Sequence, residues 1–386
     1  MRQLSISNLF QSKDLWGAVL TRVPGGTVLA LGLVLASPLW AQQDALETPA
    51  VITERASRSV LMDITRAGDR FITVGERGHI LYSDDQGISW QQAQVPVRET
   101  LTAISFPTAE TGWAVGHSGV VLVSHDAGLS WRKQLDGHRA NALIAEQLQQ
   151  ALVSLEQDPA ATPGQLDQLD YLLSDARSFV EEGATRAFLD VWFDNEQEGW
   201  VLGTFGLILH TRDGGKSWSF IGHELPNPDS FHYFSMFKQG DTILITGEAG
   251  SLYRSIDAGA SWVSLDSPYE GSLFGITGQG SQVAVFGLKG HAFESRDLGE
   301  NWQALELGTD RSLIGGAWLD ANRLILTGNG GTLIEVTPER RAVPLHTKGR
   351  GAFTAVLPSM NQQLLLVGES GIQRLTLNTT QGGDTQ

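Results

Sequence analysis

Two sets of charged side chains recur at fixed spacing in this sequence. The first is the aspartate of the pattern S/T-x-D-x-G-x-S/N-W, which occurs five times. Its aspartates are Asp85, Asp126, Asp213, Asp257 and Asp297, each followed five residues later by Trp90, Trp131, Trp218, Trp262 and Trp302. A set of acids invites two chemistries, paired-carboxylate hydrolysis and calcium binding. Glycoside cleavage needs two carboxyls within roughly 5–10 Å of each other, and one acid per repeat, each on its own turn, does not supply that. The pattern suits a tight hairpin instead: the carboxylate accepts turn N–H groups, the glycine permits the turn, and the tryptophan buries between sheets. We read these ten residues as structural.

The second set is an arginine register. Six residues before the apolar anchors Ile64, Ile104, Trp192, Met236, Ile276, Ala317 and Val356 stand Arg58, Arg98, Arg186, Ser230, Glu270, Arg311 and Arg350. A guanidinium captures carboxylate or phosphate in a bidentate fork, so arginines gathered at one place form an anion-recognition site. The competing reading is that each pairs with a neighbouring acid such as Glu99 or Glu270. Surface pairs of that kind contribute only ~0–1 kcal/mol.

What must position both sets is a repeat. VGERGHILYSDDQGISW (74–90) recurs with variation at 115–131, 202–218, 246–262 and 286–302, and more weakly at 327–336 and 367–377. The first glycine of each G-x-x-G falls at 75, 116, 203, 247, 287, 328 and 368. Apart from one long interval, the spacing of 40–44 residues is that of a four-stranded propeller blade. Each unit reads as strands A to D; in the first, Val60–Ile64, Phe71–Val74, Ile80–Ser83 and Trp90–Gln94. The expected fold is all-β, a seven-bladed propeller over 49–378. The seventh unit lacks a clear strand D, which Pro49–Arg55 could supply to close the ring.

The long interval, 138–184, is helical by pattern. Ile144, Leu148, Leu152 and Leu155 share one helical face. Asp158-Pro159 ends that helix, and Thr162-Pro163-Gly164-Gln165 begins a second with a capping box. This predicts a helical hairpin inserted between blades 2 and 3. As a connection from strand D to strand A, it leaves the propeller on the face where the arginine register lies.

Composition bounds the remaining chemistry. The 386-residue chain carries 43 acidic residues against 27 Lys plus Arg, a net charge of −16, and is 41% hydrophobic. That apolar content supports a sizeable core, and the acidity argues against nucleic acid as partner. With no cysteine, disulfides, thiolate metal sites and cysteine nucleophiles are excluded. His79, His117 and His291 follow turn glycines without the spacing of a metal set, and no cofactor or metal is expected. Asp63 and Asp190, in A strands, are the best carboxylate pair for an enzyme. Lys13 and Arg22, the apolar run Val28–Ala36 and Leu39-Trp40-Ala41 read as a secretory signal over 1–41, which implies export to the periplasm or the outer side of the inner membrane. Residues 379–386 read as a disordered tail.

The repeated GxxGxIxxSxDxGxSW, together with FLDVWFDNEQEGWVLGTFGLILHTRDGGKSW (188–218), resembles the photosystem II stability/assembly factor family and its bacterial envelope relatives. The resemblance covers nearly all of 50–378. It implies a seven-bladed propeller without catalysis, photosynthesis-linked in its best-known members, that assists assembly or stability of membrane protein complexes. The expected function is therefore non-enzymatic: a monomer that binds an acidic or extended segment of an envelope membrane protein through Arg58, Arg98, Arg186, Arg311 and Arg350. The rival is a glycan-active hydrolase of the sialidase type, which shares the aspartate boxes. Such an enzyme requires a tyrosine nucleophile, and Tyr82 and Tyr253 fall in C strands away from the axis.

Overall fold

The structure is a computed structural model that describes residues 44–347, 349–360 and 362–377. The signal segment 1–41 and the tail 379–386 lie outside the described residues. Seven antiparallel sheets each follow chain order from the inner strand outward, six with four strands and the last with three. The inner A strands are Leu61–Ala67, Leu101–Ser105, Phe188–Phe193, Tyr233–Gln239, Leu273–Gln279, Leu313–Trp318 and Phe353–Ser359. Each packs on the A strands of both neighbours, and the seventh packs on the first, so the ring is closed.

Strand position dictates residue type. Strand B of every blade is almost wholly buried, as in Phe71–Gly75, Gly112–Gly116 and Gly199–Gly203. Covered on both faces by neighbouring blades, it reads as a continuous apolar run without alternation. Strand D is only two residues long in blades 1, 3, 4 and 5, which leaves little free edge for unwanted pairing.

The aspartate boxes lock the C–D hairpins. In blade 2, Asp126 Oδ1 accepts from the Ser130 amide (2.9 Å) and the Ser124 hydroxyl (2.8 Å), while Oδ2 accepts from the Ser130 hydroxyl (2.6 Å). The arrangement repeats at Asp85, Asp213, Asp257 and Asp297. Hydrogen bonds from Ser89, Ser261 and Asn301 hold Asp85, Asp257 and Asp297 down to about 2. Trp131, Trp218 and Trp262 are buried and Trp90 and Trp302 half-buried. Each hairpin also leans on the blade before it: a Cβ at Gly87 would meet Leu365, and one at Gly128 would meet Ile72.

Two long helices form the insertion, α1 (Gly137–Glu156) and α2 (Pro163–Glu182). Asp136 caps α1, and Thr162 with Gln165 forms the expected capping box on α2. Ile144, Leu148, Leu152, Leu173 and Ala176 are buried in one cluster with blades 2 and 3. Gln147 on α1 bonds both ways to the outer strand of blade 3, to Trp218 O (2.9 Å) and from Phe220 N (2.7 Å). No helix among the described residues is long and apolar enough to cross a membrane.

Ring closure differs from expectation. Pro49–Arg55 does not complete blade 7. It runs beside the outer edge of blade 1, with Ala50 N to Val95 O at 3.0 Å, Thr53 N to Gln92 Oε1 at 2.9 Å and Gln92 Nε2 to Val51 O at 3.0 Å. Beyond the two-residue D strand of blade 1, Ala93 N and Gln94 N bond Ile80 O and Leu129 O, and this segment takes Val95 O and the Gln92 side chain. Blade 7 meets blade 1 through Thr354 Oγ1 to Leu61 O (2.8 Å) and Arg66 Nη2 to Pro358 O (2.6 Å).

Candidate functional site

Because strands alternate direction, A–B and C–D turns share one face and B–C turns and D–A connections share the other. Backbone bonds bear this out: Ala127 N reaches Glu110 O on the aspartate-box face, and Gly78 N reaches Glu99 O on the opposite one. The second face carries the arginines and the helical hairpin.

The A strands give the register an internal ruler. Pairing with strand B is irregular at one equivalent step in every blade: Leu61/Asp63, Leu101/Ala103, Phe188/Asp190, Tyr233/Ser235, Leu273/Gly275, Leu313/Gly315 and Phe353/Ala355. Three residues before these steps stand Arg58, Arg98, Thr185, Ser230, Glu270, Asp310 and Arg350. The true register therefore holds three arginines, and Arg186 and Arg311 sit one place later. A one-residue shift turns a side chain elsewhere, and the two cases show it.

Arg186 is buried, with 5% of its surface exposed, beneath the helical hairpin. Its Nε and Nη2 both donate to Asn141 Oδ1 (3.2 and 2.8 Å), and its guanidinium lies 4.2 Å from the Phe179 ring centroid. Asn141 Nδ2 in turn bonds Phe179 O and Gly183 O, each at 2.8 Å. Burial pulls the pKa of Arg186 down to about 10 against the opposing charges of Asp175 and Glu182. The expectation that Arg186 joins an exposed ring is thus corrected: it fastens the hairpin to blade 3. Arg311 stays exposed and folds over the turn of its own blade, where a Cβ at Gly330 would fall 1.5 Å from Arg311 Nη1.

Arg58, Arg98, Arg311 and Arg350 are all exposed, and among the described residues none makes an ion pair. The acids beside them are engaged elsewhere. Glu76, Glu248 and Glu369 accept the amides of Val60 (3.2 Å), His232 (3.4 Å) and Ala352 (2.9 Å), just before strand A of their own blades. Glu99 accepts from the Ser118 hydroxyl (2.9 Å). Backbone and hydroxyl donors take these carboxylates, and the one guanidinium among the described residues that pairs with any of them is that of Arg77, 3.9 Å from Glu76 Oε2.

At the axis lies a cavity of about 760 Å³. Its walls are the first halves of all seven A strands, and Leu288 and Asn329 from two B–C turns also line it. It therefore sits toward the arginine face. The residue inside each irregular step, Met62, Thr102, Leu189, Phe234, Phe274, Ile314 or Thr354, lines it in turn, making a largely apolar mouth.

Asp63 and Asp190 also line this cavity. Asp63 accepts the amides of Ile64 (2.7 Å) and, across the blade boundary, Ile104 (2.9 Å). Asp190 accepts those of Val191 (2.8 Å) and Met236 (2.7 Å) and the Ser235 hydroxyl (3.1 Å). Burial pushes Asp63 up to about 7, with the charge of Asp190 adding to it, and Asp190 up to about 6. In each, Oδ1 is held within its own strand and Oδ2 braces the A strand of the next blade. Tyr82 and Tyr253 lie in C strands, removed from the cavity lining. No cluster able to hold a metal occurs among the described residues.

Sequence reasoning missed the aromatic part of this face and the occupation of its acids. Phe205, in the B–C turn of blade 3, is 47% exposed and adopts φ 55. A large apolar residue at the third position of a G-x-x-G was the available signal.

Comparison with known proteins places these features. The sequence model of a family described as photosynthesis system II assembly factor YCF48 matches residues 45–145 and 173–358. The unmatched stretch between them falls within the helical hairpin. A curated photosystem II assembly lipoprotein Ycf48 from Synechococcus sp. (strain CC9902) is 33% identical over 91 residues, 23% of this chain and 27% of that protein. The match thus spans about a quarter of the curated relative. Among solved structures, YCF48 bound to D1 peptide superposes with a TM-score of 0.58 at 15% identity, over 84% of this chain and 94% of that one. YCF48 from Cyanidioschyzon merolae gives 0.57 at 13% identity, over 82% and 95%. The WD40 propeller of Doa1 gives 0.56 at 10% identity, over 86% and 95%. At these identities the structural likeness establishes the propeller fold.

Proposed function

Since the chain belongs to the photosynthesis system II assembly factor YCF48 family, we propose that it is a non-enzymatic exported assembly factor whose arginine face holds an extended, acidic segment of an envelope membrane protein or complex. The observation that carries this reading is the set of four exposed guanidinium groups, Arg58, Arg98, Arg311 and Arg350, without ion pairs among the described residues, around an apolar cavity. Neighbouring acids spent on backbone amides leave these cations free for a partner's carboxylates. A related propeller in complex with a D1 peptide supports capture of a membrane-protein segment by this architecture. The lipoprotein nature of the curated relative supports an exported location. Activity as a glycosidase is disfavoured by the bracing role of Asp63 and Asp190, the acids that line the cavity among the described residues.

The test is capture from native envelope extract. The Arg58→Glu, Arg98→Glu, Arg311→Glu, Arg350→Glu protein is expected to fold like the parent and to lose the co-purifying membrane protein. Undiminished capture by the folded variant would reject the arginine reading. Release of a chromogenic sugar by the parent, lost in Asp63→Asn, would favour the hydrolase.

A further inference from the structure

The arginine face is not uniform around the axis. Its exposed guanidinium groups come from blades 6, 7, 1 and 2, as Arg311, Arg350, Arg58 and Arg98, with Arg77 exposed at the turn of blade 1; the equivalent turn of blade 5 adds a single ammonium, Lys289. At the corresponding D–A positions blades 3, 4 and 5 carry Thr185, Ser230 and Glu270. That other half is aromatic. Phe179 on α2 lies 5.7 Å from Phe205, which lies 4.7 Å from His232. His232 lies 6.3 Å from Phe234, and Phe234 lies 5.3 Å from Phe274 across the next blade boundary. The series runs from the helical hairpin over a turn and into the cavity wall, where Phe234 and Phe274 are half-buried.

Two features of this series point outward. Phe205 holds a conformation that large L side chains rarely adopt, and its ring remains 47% exposed. Equivalent turn positions carry Arg77, Ser118, Ala249, Lys289 and Gly330, so the fold does not demand an aromatic residue there. Phe234 and Phe274 occupy the irregular step of strand A, where blades 2 and 7 carry Thr102 and Thr354. Those hydroxyls bond the next blade at Phe188 O and Leu61 O. Phenyl rings forgo that brace and present apolar surface to a cavity large enough for a bound side chain, since ligand sites span about 300–1,000 Å³.

We propose that the mouth is bipartite and reads two chemistries together: the partner's acidic residues over blades 6, 7, 1 and 2, and a large apolar, preferably aromatic, side chain seated in the axial cavity against Phe234 and Phe274. This rests on the arginine reading above and adds the class of sequence recognised, an aromatic residue flanked by carboxylates. The occupant follows from charge complementarity on one half and the apolar wall on the other. A purely acidic segment leaves the cavity unfilled, and a purely apolar one leaves four guanidinium groups unanswered.

The test uses the full chain and two labelled synthetic peptides of Asp, Glu and Ser, one with a single central Phe and one with Ser in its place, compared by fluorescence anisotropy. The Phe peptide is expected to bind at least about tenfold more tightly. Phe234→Ala with Phe274→Ala should erase that difference while leaving the Ser peptide's affinity unchanged. Phe234→Leu with Phe274→Leu, which keeps apolar volume, should retain part of it. Equal binding of the two peptides overturns the bipartite mouth but leaves the arginine reading standing, as does a difference that survives the folded alanine pair. Failure of both peptides to bind overturns both. The peptide pair is read on the unmodified protein, so it decides even where the alanine pair does not fold.

Discussion

The two faces of this propeller are made from the same repeat and have opposite character. On one, the C–D hairpins of blades 1 to 5 repeat a single hydrogen-bond pattern around Asp85, Asp126, Asp213, Asp257 and Asp297. On the other, the equivalent turn positions carry Arg77, Ser118, Phe205, Ala249, Lys289 and Gly330, and the D–A positions differ likewise. Repetition marks what every blade must do to fold. Departure from the repeat marks what the ring as a whole can recognise. The central cavity, with Asp63 and Asp190 in only two of seven equivalent places, belongs with the varied face.

The comparison breaks most visibly under charge reversal. The four-arginine Glu variant is expected to lose partner capture by at least about a hundredfold, since four charge-assisted contacts vanish, with its thermal midpoint nearly unchanged. Substituting Asp126→Ala on the opposite face is expected to do the reverse, lowering the midpoint by several degrees and sparing capture. Parallel melting curves and capture assays check both, and a variant that moved both readouts together would erase the distinction between faces.

Next in size is Arg186→Ala. It leaves Asn141 Oδ1 without its donor in a buried site, at a cost of about 1–3 kcal/mol. Faster amide exchange in α1 and α2, with blades 5 to 7 unaffected, is the expected signature. Exchange that stayed unchanged in the hairpin would deny Arg186 its fastening role.

The pH dependence sharpens the comparison further. Asp63 and Asp190 have raised pKa values of about 7 and about 6, so the native chain binds their protons more tightly than the unfolded chain. The stability they confer is fully present below 3.8 and is lost as pH rises through 6 and 7. The box aspartates behave oppositely. Held at about 2, Asp85, Asp257 and Asp297 stabilise above 3.8 and lose that contribution as pH falls toward 2. Melting midpoints across pH should therefore pass through a maximum on the acidic side of neutrality. Asp63→Asn with Asp190→Asn should flatten only the neutral limb; an unaltered neutral limb would contradict the assignment. The smallest effect expected is Gly330→Ala, where the flexible end of Arg311 must move aside from a turn held at φ 65. A modest loss of capture would register that shift.

Seven blades, the boxed hairpins and the helical insertion with its capping box were all legible from residue spacing, because each is held by bonds between residues close in the chain. The arginine site was legible only in part. Apolar pattern leaves a one-residue ambiguity where neighbours are alike, Val191 and Trp192 in blade 3 or Gly316 and Ala317 in blade 6, and those are the blades where Arg186 and Arg311 left the register. Closure of the ring without Pro49–Arg55 was equally hidden, since it depends on which remote backbone edge lay open. The amino-acid order thus determined the unit and its count. Tertiary structure alone decided which cations stay unpaired, since burial under the hairpin and the capture of glutamates by strand amides join residues distant in sequence.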